Sequence, residues 1–126
     1  MFSVTNLTKS NPLIGALFFS NIKEVILGKK YELSLVFIGD ARAKKLNKTY
    51  RKKTYVPNVL SFPLDKNSGE IFINLNQLKK ERKKIKISQK ELTKLMFIHG
   101  CLHLKGFSHG SKMDKLEQRY IKKFSI

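Results

Sequence analysis

The sequence predicts an α+β domain in which short strands share one small sheet packed with helices. Three observations lead there. Stretches rich in β-branched and aromatic residues, bounded by turn residues, are interspersed with longer segments whose apolar residues recur at helical spacing. The 126 residues, 41% of them hydrophobic, are enough for one domain with its own core. No internal repeat, linker or long low-complexity segment divides the chain, so a single domain is expected over residues 1–126.

The elements follow in order. Asn11-Pro12 after Ser10 reads as a helix start, because proline is tolerated in the first turn. Leu13, Ile14, Leu17, Phe18, Ile22 and Val25 then give the apolar stripe, and Gly28 ends it. Tyr31 to Ile38 reads as a buried strand. Asp40 is placed to cap a short helix carrying Leu46 and Tyr50. Val59-Leu-Ser-Phe62 is a second strand, stopped by Pro63, and Glu70 to Asn74 a third, after the turn around Lys66-Asn-Ser-Gly69. The dense basic run Lys79 to Lys86 reads as a solvated connection. Ser88-Gln-Lys-Glu91 is a capping box, in which serine and glutamate each satisfy an orphan backbone amide. It opens a helix whose Leu92, Leu95, Met96, His99, Leu102 and His103 follow the helical period, which puts the histidines on a core-facing stripe at the bottom of a cleft. A last helix runs from Ser111 to Phe124, with Met113, Leu116, Tyr120 and Ile121 inward.

Charge limits the partners. There are 26 Lys+Arg against 9 Asp+Glu, a formal charge of +17, and such a field attracts nucleic acid, acidic lipid surfaces or ribosomal assemblies. Lysine supplies 22 of the 26, so a general compositional bias is the other reading. One cysteine excludes an internal disulfide framework and agrees with a reducing compartment. The first residues lack the basic and long apolar regions of a secretory signal, and no run approaches the roughly 20 apolar residues that span a bilayer. A cytoplasmic protein that engages no membrane is the expectation.

All three histidines fall within eleven residues, His99-Gly-Cys-Leu-His103-Leu-Lys-Gly106-Phe-Ser-His109. Residues four apart on a helix share a face, so His99 and His103 can aim at one point. Gly106 offers the left-handed conformation that ends a helix and lets the chain return with His109. Three imidazoles match a catalytic zinc, one Zn2+ with an open fourth position, whereas structural zinc sites are usually closed by four protein ligands. Cys101 lies about 200° around the helix from His99 and reads as core. The spacing H-x-x-x-H-x-x-G-x-x-H is also that of the metzincin proteases, whose first histidine is followed by the glutamate that serves as general base. Here that position is Gly100, so peptide hydrolysis by that route lacks its base. A metal could still lower the pKa of its bound water to about 7, and a phosphodiester suits such a site.

These residues resemble the YbeY family of bacterial endoribonucleases, the rRNA maturation factors. His99 to His109 is similar to that family's H-G-x-L-H-L-x-G-[YF]-D-H; Leu46-Asn-Lys-Thr-Tyr-Arg51 and Val59-Leu-Ser-Phe-Pro63 resemble its L-N-x-x-[YF]-R and V-L-S-F-P. Gly69-Glu-Ile71 resembles its G-D-I strand start, and Met113 with Glu117 fit its C-terminal helix. The resemblance implies a mixed sheet packed with helices, a metal site at the end of a central helix, and zinc held by His99, His103 and His109. It implies cleavage of single-stranded RNA, in maturing the three-prime end of small-subunit ribosomal RNA and in ribosome quality control, with the ribosome or its proteins as partners. The family's invariant arginine maps onto Arg51, a planar fork for phosphate oxygens, which would act as the catalytic residue beside the metal-bound water. The chain departs from the pattern in two places: Ser108 stands where the family has the aspartate before its third histidine, and Pro57-Asn58 where it has Thr-Asp. Ser108 is therefore the candidate for orienting a ligand imidazole without a carboxylate's charge. Two other readings stay open: a non-catalytic, RNA-binding ribosome-assembly factor with a structural metal, and a metalloprotease.

Overall fold

In the second strand Leu33, Leu35 and Phe37 alternate with Ser34, Val36 and Ile38, which sends the two sets to opposite faces of the sheet. The computed structural model, which describes residues Met1–Ile126, carries that alternation through the molecule. Its elements are β1 (Phe2–Asn6), α1 (Ala16–Ile26), β2 (Glu32–Ile38), α2 (Asp40–Arg51), β3 (Val59–Asp65), β4 (Ser68–Asn74), α3 (Leu75–Ile85), α4 (Gln89–Leu104) and α5 (Ser111–Lys123). The four strands form one sheet in the order β1-β2-β4-β3. β1 and β4 each run parallel to β2, and β3 pairs antiparallel with β4, so the sheet is mixed and the fold α+β, as expected.

On one face Leu33, Leu35 and Phe37 of β2 join Ile71 and Ile73 of β4. They meet Phe19, Ile22 and Ile26 of α1 and Phe97, Ile98, Cys101 and Leu102 of α4 in a core of 17 buried residues. Fully burying each such side chain contributes about 1.5–3 kcal/mol, so this cluster dominates the stability. The other face is thinner: Val36 and Ile38 pack against Ala43 of α2, with Leu46, Val56 and Phe72 half-buried around them.

Several expectations are corrected. The N-terminal segment forms β1, unforeseen in the sequence reading, whose ladder with β2 runs from Phe2↔Leu33 to Asn6↔Phe37. The first helix starts at Ala16, not at Pro12. Asn11 Oδ1 accepts the Leu13 N–H at 2.8 Å and Leu13 has φ 58°, so the Asn-Pro cue marks a turn. The buried face of α1 is Phe19, Ile22 and Ile26, which leaves Leu17 and Val25 74% and 42% exposed. Asp40 does not cap α2; Gly39 is the N-cap, and the Asp40 carboxylate accepts hydrogen bonds from Asn74 and Asn76 Nδ2 at 2.9 and 2.6 Å.

Pro63 does not stop β3, which runs on to Asp65. Asn74 N–H donates to Asn58 O at 2.9 Å, and in that phase of the ladder 60/72 and 62/70 are the hydrogen-bonded pairs while residues 59, 61 and 63 turn their backbone groups to the free edge. A proline at such a position removes no ladder bond. The basic run around Lys79 belongs to α3, whose Leu75 and Leu78 are buried while its lysines face solvent. Two buried leucines one turn apart are a weak periodic signal, which is why the helix read as a connection.

Candidate metal centre

Helix α4 begins at the N-cap the sequence predicts, with Ser88 Oγ accepting the Glu91 N–H at 3.0 Å, although the Glu91 carboxylate makes no return bond to the Ser88 N–H, so only half of the expected capping box forms. It ends in a left-handed turn at Gly106, φ 110°. There Phe107 N–H donates to Leu102 O and Gly106 N–H to His103 O, both at 3.0 Å, the double bond of a Schellman motif. This turn returns the chain toward the helix and presents His109 beside the other two histidines. Ring centroids are 4.6 Å apart for His99 and His103, 5.0 Å for His99 and His109, and 4.9 Å for His103 and His109. The three residues offer ligand nitrogens that all lie within 4.8 Å of one another, and so could hold a metal ion.

Two of the rings have their outer nitrogens committed. A carbonyl can only accept, so His103 Nδ1–H donates to Phe107 O at 2.9 Å. His99 Nδ1 lies 3.2 Å from Glu117 Oε2 of α5, where it donates to the carboxylate. In the neutral rings both Nε2 atoms then carry lone pairs, and these face each other at 3.0 Å. Two acceptors that close repel unless a cation sits between them. Tetrahedral zinc with bonds of about 2.0–2.1 Å would set its imidazole nitrogens roughly 3.3 Å apart, so the donor set fits such an ion. Burial, helped by the neighbouring His99 and His109, pushes the His103 pKa below the usual histidine range against the opposing pull of Phe107 O and Glu117. The neutral form that a metal requires is therefore favoured.

The histidines lie on the flank of α4 rather than on its buried stripe. Its buried residues are Leu92, Thr93, Phe97, Ile98, Gly100, Cys101 and Leu102, while Leu95, Met96, His99 and His103 are half-buried and His109 is exposed. The reason is that α4 packs against α1, α3, α5, β3 and β4, which leaves only one flank open. Of the three histidines, His103 lines a cleft of about 200 Å³, together with Arg51, Val59, Leu60 and Ser61.

Arg51 reaches this cleft from the last turn of α2. Buried Asn47, one turn earlier, donates from Nδ2 to Tyr55 O at 3.0 Å and accepts Arg51 Nη1 on Oδ1 at 3.3 Å. The same Nη1 donates to the Tyr55 hydroxyl at 3.2 Å, so one asparagine fixes both the arginine and the loop behind it. Ser61 is the strand residue that the sequence suggested: its Oγ donates to Gly100 O at 3.2 Å, and its N–H points to the free edge of β3.

At Gly100 a Cβ would stand 3.0 Å from Ser61 Oγ and 3.1 Å from Ile71 Cδ1. A side chain at the position that carries glutamate in metzincins would thus crowd Ser61 and Ile71 here and push them aside by a few tenths of an ångström. Ser108 makes no hydrogen bond to any of the three imidazoles; the carboxylate behind a ligand is Glu117's. Asn58 ties the start of β3 to α3, donating from Nδ2 to Glu81 Oε2 at 3.1 Å. Neither contact is legible in the sequence, because each joins separate elements. Asn47 was within reach, lying four residues before Arg51 on the same helix face.

The family model described as endoribonuclease YbeY matches residues 6–125. Among proteins of that name, the one from Phytoplasma australiense is 33% identical over 122 residues, which cover 86% of this chain and 81% of the relative. The one from Neorickettsia sennetsu is 32% identical over 130 residues, 94% of this chain and 91% of the relative. For Polynucleobacter asymbioticus the figures are 38% over 103 residues, 75% and 66%, so the chain spans from two thirds to nine tenths of these relatives. The solution structure of a Thermotoga maritima protein shares the fold with a TM-score of 0.68 at 22% identity, over 98% of this chain and 89% of that one.

Proposed function

The chain belongs to the endoribonuclease YbeY family, and from that membership we propose that residues 1–126 form a metal-dependent hydrolase domain that cleaves single-stranded RNA. The observation that carries this reading is the convergence of three imidazole nitrogens beside a cleft that also holds a fixed arginine.

In this reading His99, His103 and His109 hold one Zn2+. When bound, the ion supplies Lewis-acid stabilisation of phosphoryl charge and a nucleophile available at neutral pH. The chain's own residues do the rest. Arg51 presents a guanidinium that stays charged and matches the geometry of phosphate oxygens, which makes it the catalytic residue that stabilises charge developing on the phosphate. Asn47 and the Tyr55 hydroxyl position it. The outward N–H of Ser61 adds a fixed donor on the free edge of β3. Glu117 and Phe107 O aim the His99 and His103 rings inward, whereas Ser108 supports none of the three rings by a hydrogen bond. Lysines hold the RNA backbone without reading its sequence, so affinity falls as salt rises.

The RNA that best fits the family is ribosomal: maturation of the three-prime end of the small-subunit RNA and ribosome quality control, in the cytoplasm, with the ribosome or its proteins as partners. No helix is long and apolar enough to cross a membrane.

The test is cleavage of single-stranded RNA by the untreated protein, the protein with a chelator, His103→Ala and Arg51→Ala. Cleavage only by the first is expected, with metal content lowered in His103→Ala and retained in Arg51→Ala. Equal activity in all four would overturn the metal mechanism. Full biological function in Arg51→Ala would instead assign the protein to ribosome assembly without cutting.

A further inference from the structure

The thinner face of the sheet carries a groove that the cleft does not use. Only α2 packs there, and it leaves Tyr50 69% exposed above half-buried Phe62 and Phe72. The ring centroids of Tyr50 and Phe62 are 5.6 Å apart, and those of Phe62 and Phe72 are 5.9 Å apart. Tyr50 stands between two hollows that share Leu46 and Phe72 with it. One, of about 310 Å³, is walled by Arg42 and Lys45; the other, of about 470 Å³, is walled by Phe62, Pro63 and Glu70. Arg42 and Lys45 are one turn apart on α2, so both cations flank the aromatic row.

This groove adjoins the cleft through covalent neighbours. Tyr50 precedes Arg51, and Phe62 follows Ser61. In each pair one residue lines the cleft and the other lines the groove, and consecutive Cα atoms are only about 3.8 Å apart. A strand whose phosphate meets Arg51 therefore has an aromatic platform within one residue step, across the edge of β3 from the histidines. Cations beside exposed aromatic rings are the combination that holds single-stranded nucleic acid, phosphates on the former and base faces on the latter. The chain's charge of +17 favours the same occupant, whereas an apolar peptide would gain nothing from Arg42 and Lys45.

We propose that Tyr50 and Phe62 form a base-stacking subsite for the nucleotide next to the phosphate held by Arg51, with Arg42 and Lys45 engaging the backbone beyond it. This rests on the reading of the cleft as an RNA site, and it adds a location for the flanking base. The subsite accepts any base, since every base offers a π-face.

The chain has no tryptophan, so Tyr50→Trp introduces a single tryptophan on the platform, which is excited selectively at wavelengths beyond the tyrosine band. It is titrated with a 2′-O-methyl adenylate hexamer, which resists cleavage, with an abasic hexamer of the same backbone, and with an apolar hexapeptide. Fluorescence should fall with the adenylate and stay unchanged with the other two. In parallel, Tyr50→Ala should bind the adenylate about 5- to 100-fold more weakly than the unaltered protein. Tyr50→Phe should bind as the unaltered protein does, and thermal melting of all three variants should be unchanged. Equal quenching by the abasic strand, adenylate affinity unaltered in Tyr50→Ala, or quenching by the peptide alone would each overturn the subsite. If Tyr50→Ala binds normally while Arg51→Ala loses cleavage, only the subsite fails; if chelator and Arg51→Ala also leave cleavage intact, the RNA reading of the cleft fails with it.

Discussion

Glu117→Gln should loosen the metal without loosening the fold. The carboxylate accepts from His99 Nδ1 at 3.2 Å, with side-chain exposures of 16% and 15% for the two partners. A hydrogen bond to a charged group contributes about 1.5–3 kcal/mol, and a neutral amide keeps roughly half of that. About 0.8–1.5 kcal/mol is then lost, about 4- to 13-fold in metal affinity, at the lower end of the range of about 10- to 100-fold seen when such partners are changed. The loss falls on the bound state because the carboxylate's charge strengthens the ring nitrogen as a donor to the cation. Competition between apo protein and a chromophoric zinc chelator near neutral pH reads the change, and thermal melting of the apo variant checks the fold. Ser108→Ala, which removes no bond to a ligand ring, should bind as the unaltered protein does. Unchanged affinity in Glu117→Gln together with a clear loss in Ser108→Ala would refute the assignment of the supporting carboxylate to α5.

Gly100→Ala should destabilise the protein by about 1–3 kcal/mol, because the new methyl meets Ser61 Oγ and Ile71 at 3.0–3.2 Å in packed surroundings; an unaltered urea midpoint would show that the strand and helix can part. Asn47→Ala should cost about 1–3 kcal/mol and lower RNA cleavage while leaving metal content intact, since it releases Arg51 and leaves the Tyr55 carbonyl unpaired. Normal cleavage in that variant would show that Arg51 needs no positioning. Acid should release the metal. Burial holds the His103 pKa below its usual value near 6.5, so between the two values the native protein binds fewer protons than the unfolded chain. The stability of the metal-free protein then declines as pH falls through that window, and protonation of the ligand imidazoles competes with the metal as the pH drops further. Zinc content measured after dialysis should fall accordingly, and a flat profile from neutral pH to about 4 would contradict it.

Local periodicity made much of the molecule readable. The β-branched and aromatic run of β2, the N-cap at Ser88, the i, i+4 histidines and the helix-ending Gly106 each depend on residues a few positions apart, and each appears in the structure where the sequence placed it. The short helix expected to carry Leu46 and Tyr50 is likewise present as α2, with Arg51 as its last residue. Errors arose where a local cue had two meanings. Asn11-Pro12 suits a turn as well as a helix start, and Pro63 can stop a strand or sit harmlessly on a free edge.

By itself, then, the sequence determined the three converging imidazoles and the α+β character, because both follow from spacing along one chain. Only the tertiary structure decided that Glu117 lies behind His99, that a side chain at Gly100 would crowd Ser61 and Ile71, and that His99 and His103 are half-buried beside the core. It also decided that Tyr50 and Phe62 meet across α2 and β3. Those facts join residues from different elements, and their distances are set by how the helices pack on the sheet rather than by any period within them.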